Sequence, residues 1–241
     1  YAVTINSSTF DAAGDTDFLN TGTVILGNDA SDVLTFAGGL ATTGNSSNPG
    51  TVNAAGQIIT TNTRMDIGAV TLTKATTFDT GDHANSVLNI GAVTSGGNAL
   101  TLDSGSSTTG GAMTLVSMVD GTGGLTIRDA GGGAAASIGA IGAGTSSDGV
   151  ITITDSSGGV TFTGNVDATT VTITDTTDTK VITFAQGGDV DIATSFDTAD
   201  QGYAVTINSS TFDAAGDTDF LNTGTVILGN DASDVLTFAG G

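Results

Sequence analysis

Short triplets of apolar, threonine, apolar residues punctuate this chain. They include Val3-Thr4-Ile5, Val70-Thr71-Leu72, Leu100-Thr101-Leu102, Met113-Thr114-Leu115 and Leu125-Thr126-Ile127. The series continues with Ile151-Thr152-Ile153, Val160-Thr161-Phe162, Val171-Thr172-Ile173 and Ile182-Thr183-Phe184. Alternate side chains of a strand face opposite ways, so the aliphatic residues point inward and the threonines outward. Between triplets lie turn formers: DSSGG at 155–159, TDTTDTK at 174–180, AQGGD at 185–189. The pattern predicts many short strands and no helix.

Two architectures suit such a string. A β-sandwich needs about seven strands of five or six residues around a bulky aromatic core. Here the strands are shorter, Trp is absent and aromatics make up 5% of the chain. A parallel β-helix fits better, because like side chains stack turn upon turn and a slim core fills with aliphatic ladders. From Val160 the strand pattern returns every roughly 20–24 residues, within the range of solenoid repeats. The expected fold is all-β, a parallel β-helix (β-solenoid). The stretches around Gly38–Asn62 and Gly131–Gly149 depart from the pattern and read as loops or decorated turns.

Tyr1–Gly39 recurs without a change as Tyr203–Gly241. Identity over that length points to recent tandem duplication, since a fold alone tolerates surface substitutions. Residues 1–202 read as one full repeat and 203–241 as the start of the next, a window from a longer array. Identical sequence in an identical environment is expected to fold identically, shifted along the axis. The open sheet edge of one unit would be covered by its neighbour, stacked head to tail. A unit holds about nine turns, near 43 Å of axis at the ~4.8 Å strand spacing.

Composition agrees with this picture. Every acid is Asp, and the only cations besides His83 are Lys74, Lys180, Arg64 and Arg128. Asp favours turns and Thr favours strands, whereas the helix former Glu is missing. So much Gly, Ser and Asp also suits a disordered chain, but the regular apolar spacing argues against disorder. With no cysteine, disulfides and thiolate metal sites are excluded. A Cys-free chain suits a large protein secreted unfolded, and no apolar run is long enough to span a bilayer.

The runs DIGAVTLTKATTFDTG at 66–81, NIGAVTSGGNALTLDSGS at 89–106 and GGVTFTGNVDATTVTITD at 158–175 carry a family likeness. They resemble the giant β-strand-repeat surface proteins of Gram-negative bacteria and are similar to filamentous-haemagglutinin-like adhesins. The resemblance is one of repeat style over most of residues 66–212. It implies a secreted, right-handed parallel β-helix at the cell surface, used as a fibre or adhesin stalk. It carries over no catalytic or binding residue.

One repeat holds 20 Asp against four Lys and Arg, a net of −16. That is one negative charge per ~3 Å of axis, close to the phosphate spacing along a DNA strand. Nucleic acid and anionic membranes should be repelled, and the rod kept soluble. Calcium is the partner such charge suggests, because it takes several carboxylate and carbonyl oxygens. The candidates are Asp11, Asp15 and Asp17 in DAAGDTD, and Asn28, Asp29 and Asp32 in LGNDASD. Turn Asp residues bonding their own backbone explain the same motifs. Calcium bridging could also let rods associate laterally.

Other chemistries find less support. The pairs Thr71/Thr73, Thr152/Thr154, Thr161/Thr163 and Thr172/Thr174 are too few and uneven for an ice-ordering rank, and β-propensity explains them. Asp189/Asp191 or Asp197/Asp200 could serve as glycosidase carboxylates. Such pairs are expected by chance in so acidic a chain, and His83 is the lone histidine. No enzyme is expected. The leading function is a structural repeat of a long secreted fibre. The alternative is an adhesin whose repeats bind glycans or surfaces. Phe10, Phe36, Phe162 and Phe184 sit at strand positions and read as core, which leaves Tyr1 and its copy Tyr203 as the aromatics best placed for surface contact.

Overall fold

The fold comes from a computed structural model that describes residues 1–106, 109–131, 133, 135–142 and 148–241. Among these residues there are 24 strands and no helix. All pairings between the strands are parallel. The chain is a β-solenoid.

Three ladders run along it, visited in a fixed order. The first begins with Val3–Ile5, the second with Thr9–Ala12 and the third with Thr16–Asp17, after which Thr23–Leu26 returns to the first. The triplets fall into register as expected. On the second ladder, Phe78, Leu102, Ile127, Ile153 and Ile173 stack inward and are buried. Their neighbours Thr77, Thr101, Thr126, Thr152 and Thr172 form the matching outward column. Like residues stack because each turn meets its neighbour at the ~4.8 Å hydrogen-bonding distance, so side chains of similar width fill the slim core without voids.

Two stretches expected to be loops carry strands. Thr51–Ile59 pairs Val52 with Val24 on the first ladder and Ile58 with Leu34 on the second. One nine-residue strand therefore rounds a corner, and it does so at Gly56, whose φ of 80° suits glycine. Ala136–Ile141 likewise joins the third and first ladders. Sequence periodicity missed both because their outward positions are Asn, Gln, Ser and Gly in place of Thr. Part of the second stretch, at 132, 134 and 143–147, lies outside the described residues. The Thr-x-Thr pairs are distributed over all three ladders: Thr71 on the first, Thr152 and Thr172 on the second, Thr161 on the third. They form no single rank of pairs.

The two identical segments adopt the same internal register. Val3 pairs with Val24 as Val205 pairs with Val226, and Phe10 with Leu34 as Phe212 with Leu236. The expectation of a pure axial shift needs one correction. Val3 lies on the first ladder, whereas Val205 lies on the third, over Ile182. All three ladders offer the same parallel edge and an apolar inward column, so the same strand fits on either.

Candidate functional site

The joint where the sequence of Tyr1–Gly39 begins again carries a dense set of specific contacts. It lies between residues 171–202 and the strands that start the second copy. Val181–Phe184 carries Ala204–Ile207, with Ile182 under Val205 and Phe184 under Ile207. Asp189–Thr198 carries both Thr211–Ala214 and Asp217–Phe220. The phenyl rings cluster here. Phe162 and Phe184 stack at 5.0 Å, and Phe212 packs 6.0 Å from Phe184 and 5.6 Å from Phe196. Phe220 lies 5.4 Å from Phe196. Burial of such rings with edge contacts is among the stronger local sources of stability in a β core.

Three side chains tie the joint together: Tyr203, Thr198 and Asn222. Tyr203 is fully buried, contrary to the expectation of exposure. Its hydroxyl donates to the Ile173 carbonyl at 2.9 Å and accepts from the Ala199 amide at 3.0 Å. Burial pushes the phenol up to about 12. Thr198 Oγ1 donates to Asn222 Oδ1 at 3.1 Å and accepts from the amides of Leu221 and Asn222. Asn222 Nδ2 donates to the carbonyls of Tyr203 and Gly224.

The first copy shows the same parts without their partners. Tyr1 is 86% exposed, where Tyr203 is 0%. Asn20 Nδ2 still donates to the carbonyls of Tyr1 and Gly22, as its copy does. Its Oδ1, on a side chain buried to within 3%, has no partner where Asn222 Oδ1 has Thr198. A buried carbonyl oxygen left unpaired costs about 1–3 kcal/mol. Tyr1 and Asn20 thus lack the contacts that their copies make with residues 173–199.

Glycine spacing makes the same point. A Cβ on Gly216 would stand 1.6 Å from the Thr194 carbonyl oxygen, whereas one on Gly14, its counterpart, meets nothing within 4 Å. Gly216→Ala should therefore destabilise the protein by about 1–3 kcal/mol, while Gly14→Ala leaves it unchanged within ~0.5 kcal/mol. Paired denaturant titrations would show the difference, and equal effects would contradict it.

The six residues proposed for calcium fall in three places. Asp11 lies outward on the second ladder beside Thr35. Asp15 and Asp17 line a surface depression of about 410 Å³ with Asn45, Arg64 and Asp66. Arg64 is bound to Asp66 there. In the third place Asp32 accepts from the amides of Asn28 and Asp29, and Asp29 accepts from Ser31, all within one turn. The copy at Asn230–Asp234 repeats these bonds. The Asx-turn chemistry anticipated for these motifs is present. Among the described residues no three His or Asp side chains converge on one point.

A second charged group was not legible in the sequence. Asp79, Asp103 and Asp129 stand in one column at the end of the second ladder. Arg128 bridges turns there, 2.5 Å from Asp103 and 3.6 Å from Asp79. Burial, and then the charges of Asp103 and Asp155, push the Asp129 carboxyl up to about 7. Burial also raises Asp103, Asp148 and Asp155. Carboxyls raised in the folded state keep protons that the unfolded chain releases. For Asp129 the stabilising effect is full below about pH 4 and is lost as pH climbs through about 7. Asp29 and Asp231, lowered by their bonds to Ser31 and Ser233, act in the opposite sense and only below the ordinary Asp range. Thermal unfolding should thus show higher stability at pH 5 than at pH 8, by about 1 kcal/mol after solvent screening of the half-exposed Asp129. A midpoint that rises from pH 5 to pH 8 would contradict this.

Asp189 and Asp191 line a shallow hollow with Asn165 and Asp167, and Asp197 faces outward beside Asp219. No family model, no curated protein and no solved structure matches this chain.

Proposed function

We propose that the 202-residue unit is a structural repeat of a long secreted fibre, joined head to tail into one continuous solenoid. The joint between copies carries this reading. Every inward column runs across it, and Thr198, Tyr203 and Asn222 hydrogen-bond across it with no linker between units. A chain of independent binding modules would place a polar, flexible connection there instead. The net charge of −21 on the chain favours a rod that stays dispersed, and the absence of cysteine is compatible with export as an unfolded chain. The strand-repeat surface proteins named above offer an analogue for such a fibre.

The test is localisation with shape. Antibody raised against residues 1–202 and labelled with gold should decorate thin filaments outside the cell. Label confined to the cell interior, or to isolated particles, would overturn the fibre reading.

A further inference from the structure

We propose that in a tandem array each repeat sits one ladder round from the repeat before it, so that three repeats are needed to restore the same face. The inference rests on the fibre reading for its setting, but the step itself is written in this chain. Starting at Val3, the first ladder climbs through Val24, Val52, Val70, Val93, Met118, Ile141, Val166 and Val190. That is eight turns. The chain then crosses the second ladder at 195–198 and reaches the third at Ala204–Ile207, where the copy of Val3 is Val205. The repeat is eight and two-thirds turns long.

A fractional step is sterically possible because the three ladders are interchangeable hosts. Val24 covers Val3 on the first ladder as Val226 covers Val205 on the third, in the same register. The corners transfer too. Asn20 and Asn222 make the same two backbone contacts, and the turns at Asp32 and Asp234 make the same amide bonds. Ring geometry is also kept. Phe10 and Phe36 lie 5.4 Å apart, Phe212 and Phe238 5.5 Å.

Because successive units are identical in sequence across the joint, the same step recurs at each one. One unit advances about 42 Å, and three units complete 26 turns in about 125 Å. A surface feature that occurs once per unit therefore appears on every side of the rod. Leu19 illustrates this. It is 55% exposed where the chain leaves the third ladder, and its copy Leu221 is 58% exposed where the chain leaves the second. A third copy would leave the first. Any lateral contact made through such a residue would be offered all round the fibre, with no privileged side.

The absence of native cysteine makes the step directly measurable. Thr206 stacks on Thr183 in the third ladder. Had the repeat been a whole number of turns, Val205 would stack on Val190 and Thr206 on Asp191. The doubly substituted chains Thr183→Cys/Thr206→Cys and Asp191→Cys/Thr206→Cys are oxidised under mild conditions and compared. Thr161→Cys/Thr183→Cys, stacked within one repeat, serves as the positive control. Adjacent outward residues of a parallel ladder lie within disulfide reach. Near-complete closure of the 183/206 pair, with none at 191/206, is expected. Closure at 191/206, or closure of the control alone, would overturn the proposal. This readout concerns one chain in solution, so it stands whether or not gold labelling finds filaments.

Discussion

Replacing Tyr203 by alanine is expected to destabilise the protein by about 3–5 kcal/mol, while the same change at Tyr1 shifts stability by no more than ~0.5 kcal/mol. The two residues have the same sequence neighbours for 38 positions downstream, so local propensity is equal. What differs is the preceding turn. Tyr203 fills a closed site and bridges the Ile173 carbonyl and the Ala199 amide, whereas Tyr1 is 86% exposed. Tyr203→Phe keeps the ring and strands those two backbone groups, so a smaller loss of about 1–2 kcal/mol is expected. Guanidinium unfolding of the three variants reads the series. Equal sensitivity at positions 1 and 203 would mean that the joint contributes nothing specific.

The second large effect concerns Arg128. Its guanidinium is half exposed but is the one cation paired with the Asp79–Asp103–Asp129 column. Arg128→Met keeps most of the stem and removes the charge. The Asp103 carboxylate, almost buried, then faces like charges with no counter-ion. The expected loss is about 2 kcal/mol at pH 7.5, less than for a fully buried pair because water reaches the site. It should shrink at pH 5, where the Asp129 carboxyl, pushed up to about 7 by burial, is protonated and adds no charge to the column. A loss that is the same at both pH values would show that packing of the stem, and not charge, is what Arg128 supplies.

The strand content and the solenoid were legible in the sequence because their cause is local. A triplet such as Leu125-Thr126-Ile127 specifies which side chains face in, and a turn such as DSSGG specifies where the chain bends. The Asp32 turn was legible for the same reason, since its donors lie within four residues. The joint was not. Tyr203 follows Gly202 in a turn-like setting and reads as exposed; only Ile173, thirty residues earlier in the chain, explains its burial. The Thr198–Asn222 bond and the Phe196–Phe212 contact likewise depend on which turn lies beneath which. The one hint was compositional, in that Phe162, Phe184 and Phe196 close the repeat as Tyr203, Phe212 and Phe220 open the next, in a chain poor in aromatics. The ladder step was hidden for a further reason. Turn lengths along the first ladder vary from 18 residues, between Val52 and Val70, to 28, between Val24 and Val52. A repeat length divided by an average turn therefore cannot distinguish nine turns from eight and two-thirds.

Continuity across the joint can be measured as length. Chains of one, two and four tandem units, imaged by electron microscopy, should appear as single unbroken rods. Their contour should grow by about 42 Å for each added unit, the advance of eight and two-thirds turns at the strand spacing. Separate particles joined by flexible links, or a spacing that varies from one joint to the next, would contradict a continuous solenoid.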